Sequence, residues 1–538
     1  MTMFASRFRS LVRGSASLCA MEEEVAVLDA ERTRANSLHD QLARQFQCRD
    51  NDAVTLGHAV DGGWPIQIAR ERLAGHMGFW GPSGSGKSYL LGLLLRHLLH
   101  SGVRRFVVAD PKSETVELAK RAIVEFSRTL PPAEAESLLS RVIVLDLFAA
   151  STLPRLQVLA PDESVDAEMQ AYEIAGIITN ELDNGGVGVR QEAILHKVIE
   201  SLIRAGLPLT MLPTALETPE LLDALAEKHN PPDFFRAVAA RLRKESRDRI
   251  LGLVSRADRL LRLRSVRLAL GGSPDRIDFA KLLDDRITLI NLAPPQGSND
   301  IGRFMAGLVW IQINHAIRRR PNGSAPTFVM VDEFPAFLSA GGAHLADTFE
   351  DLLRLARSKG VFLAVLSQDM TSVAKVSRSI ADVVKNNLHL HFIFRAMDSN
   401  AWDFALPVTG TRPRPRGAPW EEQRFGYLER GAELTLLRDG LERLADRHCY
   451  IVDRRTGLPG VLMKTADLVL KASPSDVGAL EERAAKSDAV ATIAELERGE
   501  REVQRQIEGL LSSSSNVGSD DQTAPRPPRR GRRPMDIG

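Results

Sequence analysis

The 538-residue chain is poor in cysteine, and its three thiols, Cys19, Cys48 and Cys449, are too scattered for a disulfide framework or a zinc site. That usage points to a reducing, cytoplasmic setting. No apolar run approaches the roughly 20 residues that a bilayer-spanning helix needs. The N-terminal segment carries Arg7, Arg9 and Arg13 but lacks the apolar stretch of a secretory signal, so neither a membrane anchor nor an export signal is expected. Net charge is nearly absent as well. Seventy basic against 69 acidic side chains leave +1, so attraction to an anionic polymer has to come from local patches. No metal-ligand spacing and no Ser/His/Asp arrangement suggests a second active site. Apolar residues are plentiful at 44%, enough core for two or three domains of about 100–200 residues each.

Against that background one segment stands out. Gly81, Pro82, Ser83, Gly84, Ser85, Gly86, Lys87 and Ser88 fill the pattern G-x-x-x-x-G-K-[S/T]. Glycines at this spacing let successive backbone N–H groups turn inward around phosphates, and the helix that follows adds its positive end. The pattern predicts a bound nucleoside triphosphate, ATP, with Lys87 on the β- and γ-phosphates and Ser88 on Mg²⁺. The flanks agree: His76 to Trp80 reads as a strand entering the loop, and Tyr89 to Leu99 as the helix leaving it.

Further strands are expected at Arg105–Ala109, Val142–Leu145, Arg286–Leu292, Thr327–Val331, Val361–Leu366 and His389–Phe394, most of them separated by helices. Strands alternating with helices predict an α/β fold, a P-loop (RecA-like), mainly parallel sheet. Residues 1–52 read as a solvated helical arm. The sheet domain follows in two parts, 53–162 and 281–470, around an all-α insertion at 163–280 with helix starts near Thr218-Pro219 and Pro231-Pro232. A hairpin, Cys449–Val452 with Gly460–Lys464, is expected to close the sheet domain. A helical segment, 471–511, precedes a disordered basic tail, 512–538, with arginines such as Arg526 and Arg529.

Hydrolysis needs more than a phosphate cradle: a carboxylate holding Mg²⁺ and a group orienting water. The run 327–333, Thr-Phe-Val-Met-Val-Asp-Glu, supplies both at a strand end. Asp332 is expected to hold the metal through water and Glu333 to polarise the nucleophile. The strand Val361–Leu366 then delivers Ser367-Gln368-Asp369 to the carboxyl edge of the sheet, where open α/β folds bind ligands, making Gln368 a candidate γ-phosphate sensor.

The ordered set of Gly81–Ser88, Asp110-Pro111-Lys112-Ser113-Glu114, Val331-Asp332-Glu333-Phe334, Leu366-Ser367-Gln368-Asp369 and Phe392-Ile393-Phe394-Arg395 resembles the HerA/FtsK superfamily of motor ATPases. Within it the chain looks most like the TraG/TraD coupling ATPases of conjugation and type IV secretion, over about residues 55–470. Coupling ATPases usually begin with transmembrane helices, whereas none is expected here. The resemblance implies a homo-oligomeric ring, a hexamer, that pumps DNA at the expense of ATP, with secretion or mobilisation partners. It also implies an arginine completing a neighbour's site, for which Arg395 and Arg357 are the candidates. An ATPase that energises protein secretion, and a nucleotide-gated scaffold with little turnover, stay open as alternatives.

The basic run from Arg236 to Arg267, which includes Arg241, Arg243, Lys244, Arg247 and Arg249, is a candidate phosphate-tracking surface. With aromatics at only 5%, backbone contact is favoured over base stacking, and duplex over single-stranded DNA.

Overall fold

The computed structural model describes residues 25–47 (apart from 28, 31, 34 and 35), 54–160 (apart from 69), 165–182, 189–409 (apart from 274) and 428–517. The chain forms two compact units. One comprises residues 1–148 and 278–489, the other 149–277 and 490–538.

The strands are β1 (Val54–Ala59), β2 (Pro65–Ile68), β3 (Met77–Trp80), β4 (Phe106–Asp110), β5 (Val142–Asp146), β6 (Thr152–Pro154), β7 (Ile287–Asn291), β8 (Thr327–Val331), β9 (Val361–Ser367), β10 (Leu390–Ile393), β11 (His448–Asp453), β12 (Val461–Thr465) and β13 (Val490–Thr492). In the first unit eleven of them form one sheet in the order β2-β1-β12-β11-β10-β3-β9-β8-β4-β7-β5. From β10 to β5 every pairing is parallel, whereas β11, β12, β1 and β2 extend the sheet antiparallel. The expected α/β, mainly parallel fold is therefore present.

Every residue of β3, β4, β8 and β9 is buried. Strands covered by helices on both faces cannot alternate apolar with polar, which is why they read in the sequence as short unbroken apolar runs. Phe79 of β3 stacks on Phe392 of β10, centroids 4.7 Å apart, beneath the phosphate loop.

The N-terminal arm differs from expectation. Residues 36–45 are helical, and Leu42 and Phe46 are buried in the same core as the sheet, with Leu38 packed against it. Leu38, Leu42 and Phe46 recur every four residues, so one stripe of the arm is apolar. The Phe46 carbonyl accepts from Gln67 N–H of β2 at 2.8 Å. The rest of the arm falls largely outside the described residues.

The second unit is mostly helical, including Ala167–Leu182, Val189–Arg204, Pro219–Ala226, Pro232–Lys244, Arg247–Leu261 and Arg264–Gly271. It also holds a two-stranded ribbon, β6 with β13, that the sequence did not announce, since three residues are too few to show a period. Its last helix, Ile493–Val517, runs through residues 512–517, where a disordered tail was expected to begin. The arginine-rich stretch beyond lies outside the described residues. No described helix is long and apolar enough to cross a membrane.

Candidate active site

Between β3 and the helix Lys87–His100 the backbone makes the turn that the glycines were read as permitting. Gly84 and Gly86 lie in the left-handed region, φ 80° and 111°, where a β-carbon is strained. A β-carbon on Gly86 would also lie 3.2 Å from the Arg447 Cα, and one on Gly81 would lie 2.6 Å from the Phe394 Cβ. The loop is thus a bare-backbone cradle at the start of a fourteen-residue helix.

Lys87 is folded back over this cradle, its ammonium donating to the carbonyls of Gly81 (2.5 Å) and Pro82 (3.0 Å). Burial lowers its pKa, while the negative charges of Asp332 and Glu333 act in the opposite direction. Ser88 lines the same cleft, of about 250 Å³, together with Ser83, Lys112, Asp332, Glu333 and Gln368.

The acidic pair stands where β8 ends. Asp332 accepts from the Thr115 hydroxyl through Oδ2 and from the Glu333 N–H through Oδ1, the latter at 2.8 Å. Glu333 adopts φ 47°, ψ 50°, a left-handed conformation that costs a non-glycine residue about 1–3 kcal/mol. The helix Phe334–Ser358 starts immediately afterwards. Glu333 Oε2 accepts from Lys112 Nζ at 2.5 Å and from Gln368 Nε2 at 3.3 Å.

Three residues that no reading of the motifs assigned a role shape this centre. Asp110, fully buried at the end of β4, accepts from the N–H groups of Lys112 and Thr115, both at 2.7 Å, and so folds the turn that carries these two residues. Burial, with Asp332 nearby, pushes its carboxyl up to about 6. Thr115 then faces Asp332, and Lys112 faces Glu333. The D-P-K-x-E motif marked the segment, but only the adjacency of β4 and β8 shows what it serves.

The arginine candidates separate. Arg395 follows β10 at the same edge as the phosphate loop and lies 3.9 Å from Asp446. Arg357 is in the last turn of Phe334–Ser358, just before β9 begins, which puts it at the opposite edge of the parallel sheet. The basic run in the second unit is less free than its sequence suggests. Arg236 pairs with Glu227 (2.8 Å), Arg249 with Glu245 (2.5 Å), Arg243 with Glu220 and Asp223, and Arg264 and Arg267 with Glu497 and Glu500. Glu245 belongs to the run itself, and neighbouring segments supply Glu220, Asp223, Glu227, Glu497 and Glu500.

The residues present fit a Mg²⁺-nucleotide: a cradle that a β-carbon would fill, a lysine at its floor, a hydroxyl at Ser88, and two carboxylates facing them across one cleft. The profile of the helicase HerA central domain matches residues 54–297. No curated protein matches the chain. Among solved structures, the bacterial conjugative coupling protein TrwBΔN70 in an unbound form is 14% identical, with 81% of this chain and 93% of that chain covered and a TM-score of 0.50. TrwB in complex with a non-hydrolysable ATP analogue is 13% identical, over 81% and 94%, with a TM-score of 0.50. VirB4 of Thermoanaerobacter pseudethanolicus is 14% identical, over 80% and 99%, with a TM-score of 0.47. At such identities the two TrwB structures speak for the fold alone. The profile match and the phosphate loop within it identify residues 54–297 as a P-loop ATPase domain of the helicase HerA central-domain family.

Proposed function

We propose that this protein hydrolyses ATP with Mg²⁺ and couples the cycle to movement of DNA through a ring of its own subunits. The observation that carries the ATPase part is the meeting of Lys87, Asp332, Glu333 and Gln368 in one cleft at the carboxyl edge of the sheet. In this reading the loop N–H groups and Lys87 hold the phosphates, and Ser88 and Asp332 hold the metal, Asp332 through water. Mg²⁺, when bound, would neutralise charge on the phosphate oxygens. Glu333 orients the attacking water and takes up its proton, while Gln368 reports on the terminal phosphate. Arg395, at the same edge of the sheet as the phosphate loop, is favoured over Arg357 as the arginine that completes a neighbouring subunit's site. Movement of DNA rests on the kinship with HerA and on the coupling proteins that share the fold, and the ring is assigned on the same ground.

The test is steady-state hydrolysis by the full chain and by Glu333→Gln, without nucleic acid and with single-stranded or duplex DNA at low and moderate salt. Stimulation by duplex DNA, lost with Glu333→Gln, is expected. Turnover indifferent to DNA would shift the assignment to a protein-moving ATPase, and biological function surviving Glu333→Gln would shift it to a scaffold.

A further inference from the structure

Two lysines enter the cleft, and only Lys87 belongs to the phosphate loop. Lys112 comes from the turn after β4, and its ammonium sits on Glu333 Oε2 at 2.5 Å. The same oxygen accepts from Gln368 at 3.3 Å. A carboxylate oxygen with a cation and an amide already on it has little capacity left to orient water. The arrangement is built. Lys112 N–H is tied to the buried Asp110, and Glu333 is held by its N–H on Asp332 and by a left-handed backbone. The ion pair is nonetheless easily exchanged, because the side chains of Lys112 and Glu333 are 45% and 23% exposed and such pairs are weak.

We propose that Lys112 is a positioning residue shared between two anions: it rests on Glu333 when no terminal phosphate is present and moves to the γ-phosphate when one is, which frees Glu333. A terminal phosphate carries more charge than a carboxylate and presents three oxygens, so it competes well for the ammonium. Lys112 and Gln368 both line the cleft with Lys87 and Ser88, so Glu333 and the phosphate loop face the same space as the ammonium. Oε2 of Glu333 would then be withheld from water until the nucleotide that needs it has arrived. The inference rests on the ATPase reading and is independent of whether DNA is the cargo.

Nucleotide binding tests it without turnover. Calorimetric titration of the full chain with Mg·ADP and with a non-hydrolysable Mg·ATP analogue is expected to show tighter binding of the analogue. Lys112→Met should leave the ADP affinity within about twofold and weaken the analogue about tenfold, and Lys112→Arg should restore most of the difference. Glu333→Gln, by releasing the ammonium, should tighten the analogue several-fold, and this gain should vanish in the Lys112→Met/Glu333→Gln double variant. An unchanged ADP affinity also shows that the cleft is folded. Equal losses for both nucleotides in Lys112→Met, or a Glu333→Gln gain that persists without Lys112, would overturn the proposal. Failure of the wild type to bind either nucleotide would overturn the ATPase reading, whereas hydrolysis indifferent to DNA would touch only the cargo.

Discussion

Arg447 donates its backbone N–H to the carbonyl of Ser85 at 2.8 Å, so the loop leading into β11 braces the phosphate cradle from behind. The guanidinium lies 4.5 Å over the Tyr89 ring and donates to Asp467 at 2.6 Å and to the carbonyls of Thr465 and Ala466. Arg447 itself has φ 65°, so the brace holds a strained residue in place.

Arg447→Ala removes the stack and the ion pair but leaves the backbone bond. Since Asp467 is well exposed and Arg447 half-buried, the ion pair is weak and the expected loss of stability is only about 1 kcal/mol. Amides 83–88 should nonetheless exchange faster with deuterium, and nucleotide affinity should drop a few-fold. Loop exchange at wild-type rates would show that the side chain contributes nothing to the cradle.

Thr115→Val keeps the shape of the side chain and deletes the hydroxyl that donates to Asp332. The expected result is a Mg²⁺ requirement curve with its midpoint raised about tenfold, the lower end of what loss of a group orienting a metal-binding carboxylate usually costs. Titrating Mg²⁺ at saturating ATP measures it, and Thr115→Ser should behave as wild type.

Gly84 and Gly86 should not tolerate alanine equally. Both have positive φ, but a β-carbon at Gly84 meets open space, whereas one at Gly86 presses on the Arg447 backbone. Gly84→Ala is expected to cost about 1 kcal/mol and leave nucleotide binding measurable. Gly86→Ala should abolish binding, as read by calorimetry.

Stability should fall as pH drops below neutrality. His76 donates from Nε2 to the Leu353 carbonyl (2.8 Å) and accepts the Leu363 N–H on Nδ1 (3.1 Å). His391 accepts from Trp80 Nε1 on Nδ1 (3.1 Å) and donates to the Leu388 carbonyl (2.9 Å). Each is therefore a neutral tautomer with both nitrogens engaged, and burial lowers their pKa values to about 4 and about 3. Unfolded histidine protonates near 6.5, so between that pH and the folded values the unfolded chain binds more protons and stability declines with acid. The expected slope approaches about 1.4 kcal/mol per pH unit for each group. Urea unfolding at pH 6.5 and 5.5 measures it, and His391→Gln should reduce the proton uptake by about one.

The parallel strands, the phosphate loop and the acidic pair were legible because each is written in contiguous residues. An apolar run of five, a glycine every second or third position and a carboxylate at a strand end carry their meaning locally. Burial of Leu42 and Phe46 was not legible in the arm, because an apolar stripe on a helix does not say what covers it. Most of the acids that neutralise the arginines between 236 and 267, Glu220, Asp223, Glu227, Glu497 and Glu500, lie outside that run, so a window over it could not include them. β6 and β13 are too short for any period.

By itself the sequence determined that a glycine-rich turn joins a buried strand to a helix and that β8 ends in an acidic pair, because backbone freedom at glycine and strand burial are properties of neighbours in the chain. Only the tertiary structure decided that Lys112 sits on Glu333 and Thr115 on Asp332, that Arg447 supports Ser85, and that Arg357 stands at the far edge of the sheet. Those relationships depend on β4 lying beside β8 and on the direction in which each strand enters the sheet. Pairing of that kind is fixed by burial of whole strands against one another and not by any side chain in the motifs it brings together.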